Sequence, residues 1–306
     1  MSRSLLLLFF AIVPFIVPAQ IPKVVAGKIV HLEQFPSKFV TPRTIDIWLP
    51  PDYSDSKKYA VLYMNDGQML YDTTITWNKQ EWGVDETLSM LIKNNQVKET
   101  IVVGIHNTND RWLEYFPAKP YDKLTQAWKD STVEGLQLRS KKVMSDEYLK
   151  FVVKELKPYI DSAYSTLTDM DNTYIMGSSM GGLISMYAVC EYPNVFGGAA
   201  CLSTHWPGGY DPKDKTATKA FSDYMKAKLP SPLNHRFYFD YGTETLDKNY
   251  EPHQKIIDAT MKYKGYDKSN WLTLRFFGAD HTEDSWRKRL AGPVFFLLRK
   301  PIVVNK

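Results

Sequence analysis

The chain has 306 residues, 44% of them hydrophobic, and a formal net charge of +4. That is enough apolar chain for a full core, and a charge so mild, with no Lys/Arg-rich run, gives no footing for nucleic-acid binding. Aromatic residues are abundant, with 8 Trp, 19 Tyr and 15 Phe, which suits either a packed core or walls for aryl and sugar groups.

The first 19 residues read as a leader rather than as fold. Arg3 supplies a positive start, Leu5 to Val17 is almost wholly apolar, and Val17-Pro18-Ala19 offers a small-residue cleavage site before Gln20. This is the pattern of a secretory signal peptide, too short and wrongly flanked for a spanning helix. The expected location is therefore periplasmic or secreted, with no membrane attachment once the chain is cut after Ala19. No Cys follows the apolar run, so a lipoprotein anchor is not expected. Residues 20–306 carry no internal repeat and no low-complexity linker, and they read as one domain.

Lys23–Gln34 and Arg43–Leu49 read as an antiparallel pair, split by the turn residues Pro36, Ser37 and Pro42. Tyr59–Met64 is the next strand, Glu81–Lys93 is helical, and Thr100–Ile105 is a buried strand. His106–Ser145 is long and irregular, and carries Arg111, Trp112, Glu114, Tyr115, Phe116, Tyr121 and Trp128. A loop of that length in a compact domain is usually functional, and it is read as a cap. Met144–Tyr164 is largely helical, with Pro158 at a kink or boundary. Strands follow at Asn172–Met176, Gly198–Leu202, Arg236–Tyr241 and Trp271–Phe277, with helices at Leu183–Val189, Pro252–Tyr263 and Asp284–Leu298. Eight strands mostly alternating with helices predict an α/β fold, a largely parallel sheet with helices on both faces. The only cysteines, Cys190 and Cys201, are read as two buried free thiols rather than a disulfide.

The fifth strand ends in Gly177-Ser178-Ser179-Met180-Gly181-Gly182, and a helix begins at once. This strand–turn–helix context is what a G-x-S-x-G nucleophile elbow requires. A serine on so tight a turn has strained backbone angles, and flanking glycines relieve the crowding. The amide of Met180 opens the helix and can donate to a developing oxyanion. A serine hydroxyl is a poor nucleophile unless a base and an orienting group activate it. In such sheets the acid and then the histidine follow the serine. His281 lies just past the last strand, after Gly278, where the base belongs; His205, His235 and His253 are less well placed. The acid belongs in the loop after the seventh strand. Asp247 is preferred there because it lies farther into the loop, with Glu244 as the alternative. The loop Asn65-Asp66-Gly67-Gln68 after the third strand offers a second oxyanion amide, that of Gln68. Asp66, Gly67, Arg111, Tyr115, His205 and Trp206 are the expected substrate contacts. Arg111 is expected to pair with a carboxylate, with Glu114 as the suggested partner, while Trp112 and Tyr115 wall the pocket.

Five segments together carry a family resemblance: Leu62–Gln68; Ile101–Ile105 with Arg111, Glu114 and Tyr115 behind it; Glu155–Asp161; the elbow; and Gly278 with His281. The chain resembles the putative-esterase family of α/β-hydrolases, which includes enterochelin esterases, esterase D, feruloyl and acetylxylan esterases, and mycolyltransferases. The resemblance implies a serine esterase without metal or other cofactor, with Ser179 as nucleophile, His281 as base, and the amides of Gln68 and Met180 in the oxyanion hole. The expected reaction is hydrolysis of a carboxylic ester through an acyl-enzyme, on an exported carbohydrate ester, a siderophore ester or another small ester. An acyltransferase, or a silent ligand-binding protein on the same scaffold, is the alternative.

Overall fold

The computed structural model describes residues 20–300, so the expected leader lies outside the described residues. Eight strands form one sheet: β1 (Lys28–Phe35), β2 (Arg43–Leu49), β3 (Ala60–Asn65), β4 (Thr100–Ile105), β5 (Thr173–Ser178), β6 (Gly198–Leu202), β7 (Arg236–Tyr241) and β8 (Trp271–Arg275). Their order across the sheet is β1-β2-β4-β3-β5-β6-β7-β8. β2 runs antiparallel to both β1 and β4. From β4 to β8 every neighbouring pair is parallel.

The inner strands, β2 to β7, bury both faces, as a parallel sheet covered by helices must, while the edge strands β1 and β8 stay partly exposed. On β3, Val61 and Tyr63 point into one core while Ala60, Leu62 and Met64 point into the other. The period-two alternation continues on β7, where Phe237 and Phe239 face the first core and Tyr238 the second. The second face is covered by α1 (Val84–Lys93), which supplies Leu88 and Leu91, and by the C-terminal α11 (Ala291–Leu298), which supplies Val294 and Leu297. The first face is covered by α5 (Ser145–Phe151), α6 (Lys157–Ala163), α7 (Met180–Glu191), α8 (Thr216–Lys228) and α9 (Glu251–Tyr263).

Three expectations need correction. His106–Ser145 is not an irregular cap. It folds into α2 (Arg111–Tyr115), α3 (Ala118–Asp122) and α4 (Gln126–Gly135). Its aromatics pack on one another: the Phe116 ring lies 4.8 Å from Trp112 and 5.3 Å from Tyr121. The last helix is two, because α10 (Glu283–Arg287) stops before α11 begins. Helix α8 has no counterpart in the sequence reading, although Ala217, Phe221, Tyr224 and Met225 recur at helical spacing and are buried. Pro158 sits at the start of α6, directly after a wide π-type turn, Val152–Leu156, in a helical run continuous with α5. Cys190 and Cys201 are buried and free.

Candidate active site

The site lies at the carboxyl ends of the parallel strands, where open α/β sheets place their ligand crevice. Ser179 caps the N-terminus of α7 with φ 55° and ψ −120°. An L-residue holds such angles only when its surroundings enforce them. Here its N–H donates to the Leu202 carbonyl at 2.9 Å, and its own carbonyl accepts from the His205 amide at 3.1 Å. A Cβ on Gly177 would meet backbone atoms of Gly181 at 2.8 Å, so the elbow closes only because that position is glycine.

The carboxylate and imidazole come from separate loops. Asp247 is buried, and its Oδ1 accepts from Nδ1 of His281 at 2.6 Å. Its Oδ2 accepts from the Ser203 hydroxyl at 2.5 Å and the Gly242 amide at 2.6 Å. Burial pushes the Asp247 carboxyl up, but His281, Ser203 and the Gly242 amide outweigh it and hold it below the usual carboxylate range. Ser203 is fixed in turn by Nη2 of Arg289 at 2.9 Å and Nε1 of Trp286 at 3.0 Å. Arg289 also pairs with buried Asp240 on β7, at 3.1 Å. Glu244 is exposed, and its side chain meets only the neighbouring Thr243 hydroxyl at 3.5 Å. Of the two acids the sequence leaves open, Asp247 is the one brought to His281.

Ser179 and His281 line a single cavity of about 550 Å³, together with Asp66, Gln68, Asn107 and Arg111. The Gln68 amide lies in a single 3-10 turn, Gly67–Met69, reached through Asp66 in the left-handed region at φ 60°. A Cβ on Gly67 would strike Gly104 at 2.5 Å, so this turn rests directly on β4. Met180 is the first residue of α7, with its amide at the positive end of that helix.

The other expected contacts divide. Arg111 lines the cavity, but its partner is Asp66, not Glu114: Nε meets Oδ1 at 2.6 Å and Nη2 meets Oδ2 at 2.7 Å. Glu114 points away into the core, where it holds Arg43 at 2.6 and 2.9 Å. Tyr115 is fully buried beneath the Arg111 guanidinium, which lies 5.2 Å from its ring centre, and it does not line the cavity. Trp206 is also fully buried, bonded through Nε1 to Gln254 at 2.7 Å. Trp112 is turned away and donates to the Gly208 carbonyl at 3.0 Å. Gly67 is buried beneath the turn and not on the cavity wall.

His205 is beside the site but outside the cavity lining. Its Nε2 reaches the Gly209 carbonyl at 3.3 Å, which leaves Nδ1 to accept from the Tyr250 hydroxyl at 2.7 Å. Burial, with His281 close by, pushes the His205 imidazole down to about 4 despite the Gly209 carbonyl. Tyr250 is a functional neighbour that sequence reasoning misses. It is fully buried, its hydroxyl donates to His205, and its ring stands edge-on to His281 at 5.8 Å. Nothing local in the sequence marks Tyr250, since it merely precedes α9. Among the described residues, no group of three or more His, Cys, Asp or Glu could hold a metal ion.

A family model described as "Putative esterase" matches residues 37–297. The uncharacterized protein YbbA of Bacillus subtilis is 24% identical over 265 residues, 84% of this chain and 93% of that protein. The carboxylesterase SOBER1 of Arabidopsis thaliana is 26% identical over 171 residues, 52% of this chain and 68% of that protein. Among solved structures, a ferulic acid esterase superposes with a TM-score of 0.62 at 18% identity, covering 89% of this chain and 98% of its own. The enterobactin esterase FES of Shigella flexneri gives a TM-score of 0.62 at 17% identity, over 90% of this chain and 60% of its own. These likenesses show the α/β-hydrolase fold.

Proposed function

The chain belongs to the putative esterase family, and from that premise we propose that it is a serine carboxylic-ester hydrolase working through an acyl-enzyme. The observation that carries the reading is His281, held by buried Asp247 at 2.6 Å and lining the same cavity as a serine in a strained elbow. In the proposed cycle, Ser179 Oγ attacks the acyl carbon as Nε2 of His281 takes its proton. Asp247 holds Nδ1–H and so keeps Nε2 free to accept. The amides of Gln68 and Met180 receive the negative charge on the carbonyl oxygen. His281 then returns the proton to the leaving alcohol, and water repeats the sequence to release the acid. The substrate is an exported carbohydrate or siderophore ester, in keeping with the leader expected over residues 1–19 and a periplasmic or secreted location.

The test is labelling with a fluorophosphonate probe. Wild type is expected to be labelled at Ser179, and Ser179→Ala to lose both label and nearly all turnover of an aryl acetate. Label on Ser178 would overturn the assignment.

A further inference from the structure

Trp77 lines the same cavity as Ser179 and His281, yet its residue surface is 83% exposed. Single exposed apolar residues are ordinary on surfaces, so exposure alone carries nothing. What sets Trp77 apart is that the loop bearing it is held rigid around it. Asp72 accepts from the amides of Lys23 at 2.9 Å and Thr74 at 2.8 Å. Thr76 is buried and bonds back to the Thr73 carbonyl at 3.2 Å. Lys79 reaches the Thr74 carbonyl at 2.9 Å. Next along, Asn78 donates to Glu283 at 2.7 Å, joining this loop to the segment just after His281. A large flat side chain carried on a tied loop beside the serine and left open to water is a stacking surface for a ring.

The flanking groups say which kind of ring. Gln68 and Gln80 line the cavity too. Each spends its amide oxygen within the protein, on the amides of Asn107 at 3.2 Å and Asp284 at 3.4 Å. Their NH2 groups make no bond to the protein among the described residues, so each keeps two donors for a ligand. Glu283 uses one carboxylate oxygen on Asn78 and keeps the other. The charges argue in the same direction. Arg111 is paired with Asp66, and Glu283 faces that same guanidinium across the cavity while bonding only the Asn78 amide. The cavity wall therefore offers paired donors, one free carboxylate acceptor and an aromatic plane, with no unpaired guanidinium or ammonium.

We propose that Trp77, with Gln68, Gln80 and Glu283 around it, forms a subsite for an uncharged, polyhydroxylated ring, the sugar part of a carbohydrate ester. The inference rests on the serine esterase reading and selects within it. A multiply anionic catecholate ester meets the Glu283 carboxylate here, while the guanidinium on this wall, Arg111, is already paired with Asp66, so such an ester is disfavoured.

The test uses the full-length protein and acetylated xylobiose, ethyl acetate, methyl ferulate and a ferric catecholate triester as substrates. Trp77→Ala is expected to lower kcat/KM for acetylated xylobiose at least tenfold more than for ethyl acetate, and Trp77→Phe to recover most of the difference. Binding of unesterified xylotetraose, followed by calorimetry in the Ser179→Ala background, should weaken about tenfold with Trp77→Ala. This second arm reads the subsite without catalysis. Hydrolysis that survives Ser179→Ala would defeat the serine reading while the binding arm still judges Trp77. Equal losses on acetylated xylobiose and ethyl acetate, or no xylotetraose binding before Trp77 is changed, would overturn the subsite. A selective loss on methyl ferulate, or a wild-type preference for the catecholate triester, would overturn the sugar assignment.

Discussion

Arg111 closes on Asp66 with two hydrogen bonds, 2.6 and 2.7 Å long, across 45 residues of chain. Asp66 is also the left-handed residue that starts the turn presenting the Gln68 amide. The ion pair thus ties the proposed oxyanion loop to the start of α2. Arg111→Ala leaves a carboxylate without its partner in a half-buried site, a change expected to cost about 1–3 kcal/mol. Because the loop carries a proposed oxyanion donor, kcat should fall by at least tenfold, with KM for a small acetate changing less. Glu114→Gln breaks the separate Arg43 pair and is expected to lower Tm without a selective loss in kcat. Thermal melts and steady-state kinetics on the two variants check this; matched kinetic losses would separate Arg111 from the oxyanion loop.

Asp247→Asn is expected to reduce kcat by about 10⁴-fold, because an amide no longer enforces the tautomer of His281 that leaves Nε2 free. Glu244→Gln, at an exposed position, should stay within a few-fold of wild type. The measurement is kcat on an aryl acetate; the opposite ranking would transfer the acid role to Glu244.

His205 sets an acid limit on stability. Its folded-state value of about 4 lies below its ordinary 6.5, so the unfolded chain takes up a proton first as pH falls. The stability this group contributes is fully present above pH 6.5 and drains away between there and pH 4. Linkage puts the loss on the order of 3 kcal/mol. Asp247, held below the carboxylate range, adds a further loss at lower pH, as its carboxylate is protonated. Urea melts from pH 7.5 to 4.5 are expected to show a shallower slope for His205→Gln than for wild type. Identical slopes would mean that His205 takes up its proton in the fold at its ordinary pH.

Tyr115 is a packing residue. Since it is fully buried beneath Arg111, Tyr115→Ala is expected to open a core cavity and cost about 3–5 kcal/mol. Its effect on kcat/KM should be similar for bulky and small esters. A loss confined to bulky esters would return Tyr115 to the pocket wall.

Much of this is readable along the chain because it is local. A short apolar strand ending in G-S-S-M-G-G, with a helix directly behind it, needs no distant residue to be recognised as an elbow at Ser179. His281 is readable for a similar reason, since it lies in the loop past the last strand. The parallel sheet follows from the alternation of elements, although α8 escapes the sequence reading and the aromatic stretch after β4 reads as a loop when it is three short helices. There the aromatics that suggest a pocket wall are consumed in packing.

What the chain alone could not decide depends on residues far apart in sequence. Glu244 and Asp247 are both carboxylates, three residues apart; the choice falls to Asp247 because Ser203 and the Gly242 amide converge on its second oxygen while His281 takes the first. Arg111 and Glu114 share one short helix, but a helix turns neighbours at that spacing only roughly alike, and the burial of Arg43 draws Glu114 inward. Arg111 is left to the cavity and to Asp66. The residue order therefore determined the architecture and the position of the serine and histidine, through periodicity and turn chemistry. Only the tertiary structure chose the acid, the partner of Arg111 and the exposed face of Trp77, because each is the outcome of competition for burial and hydrogen bonds among elements that meet only once the sheet is built.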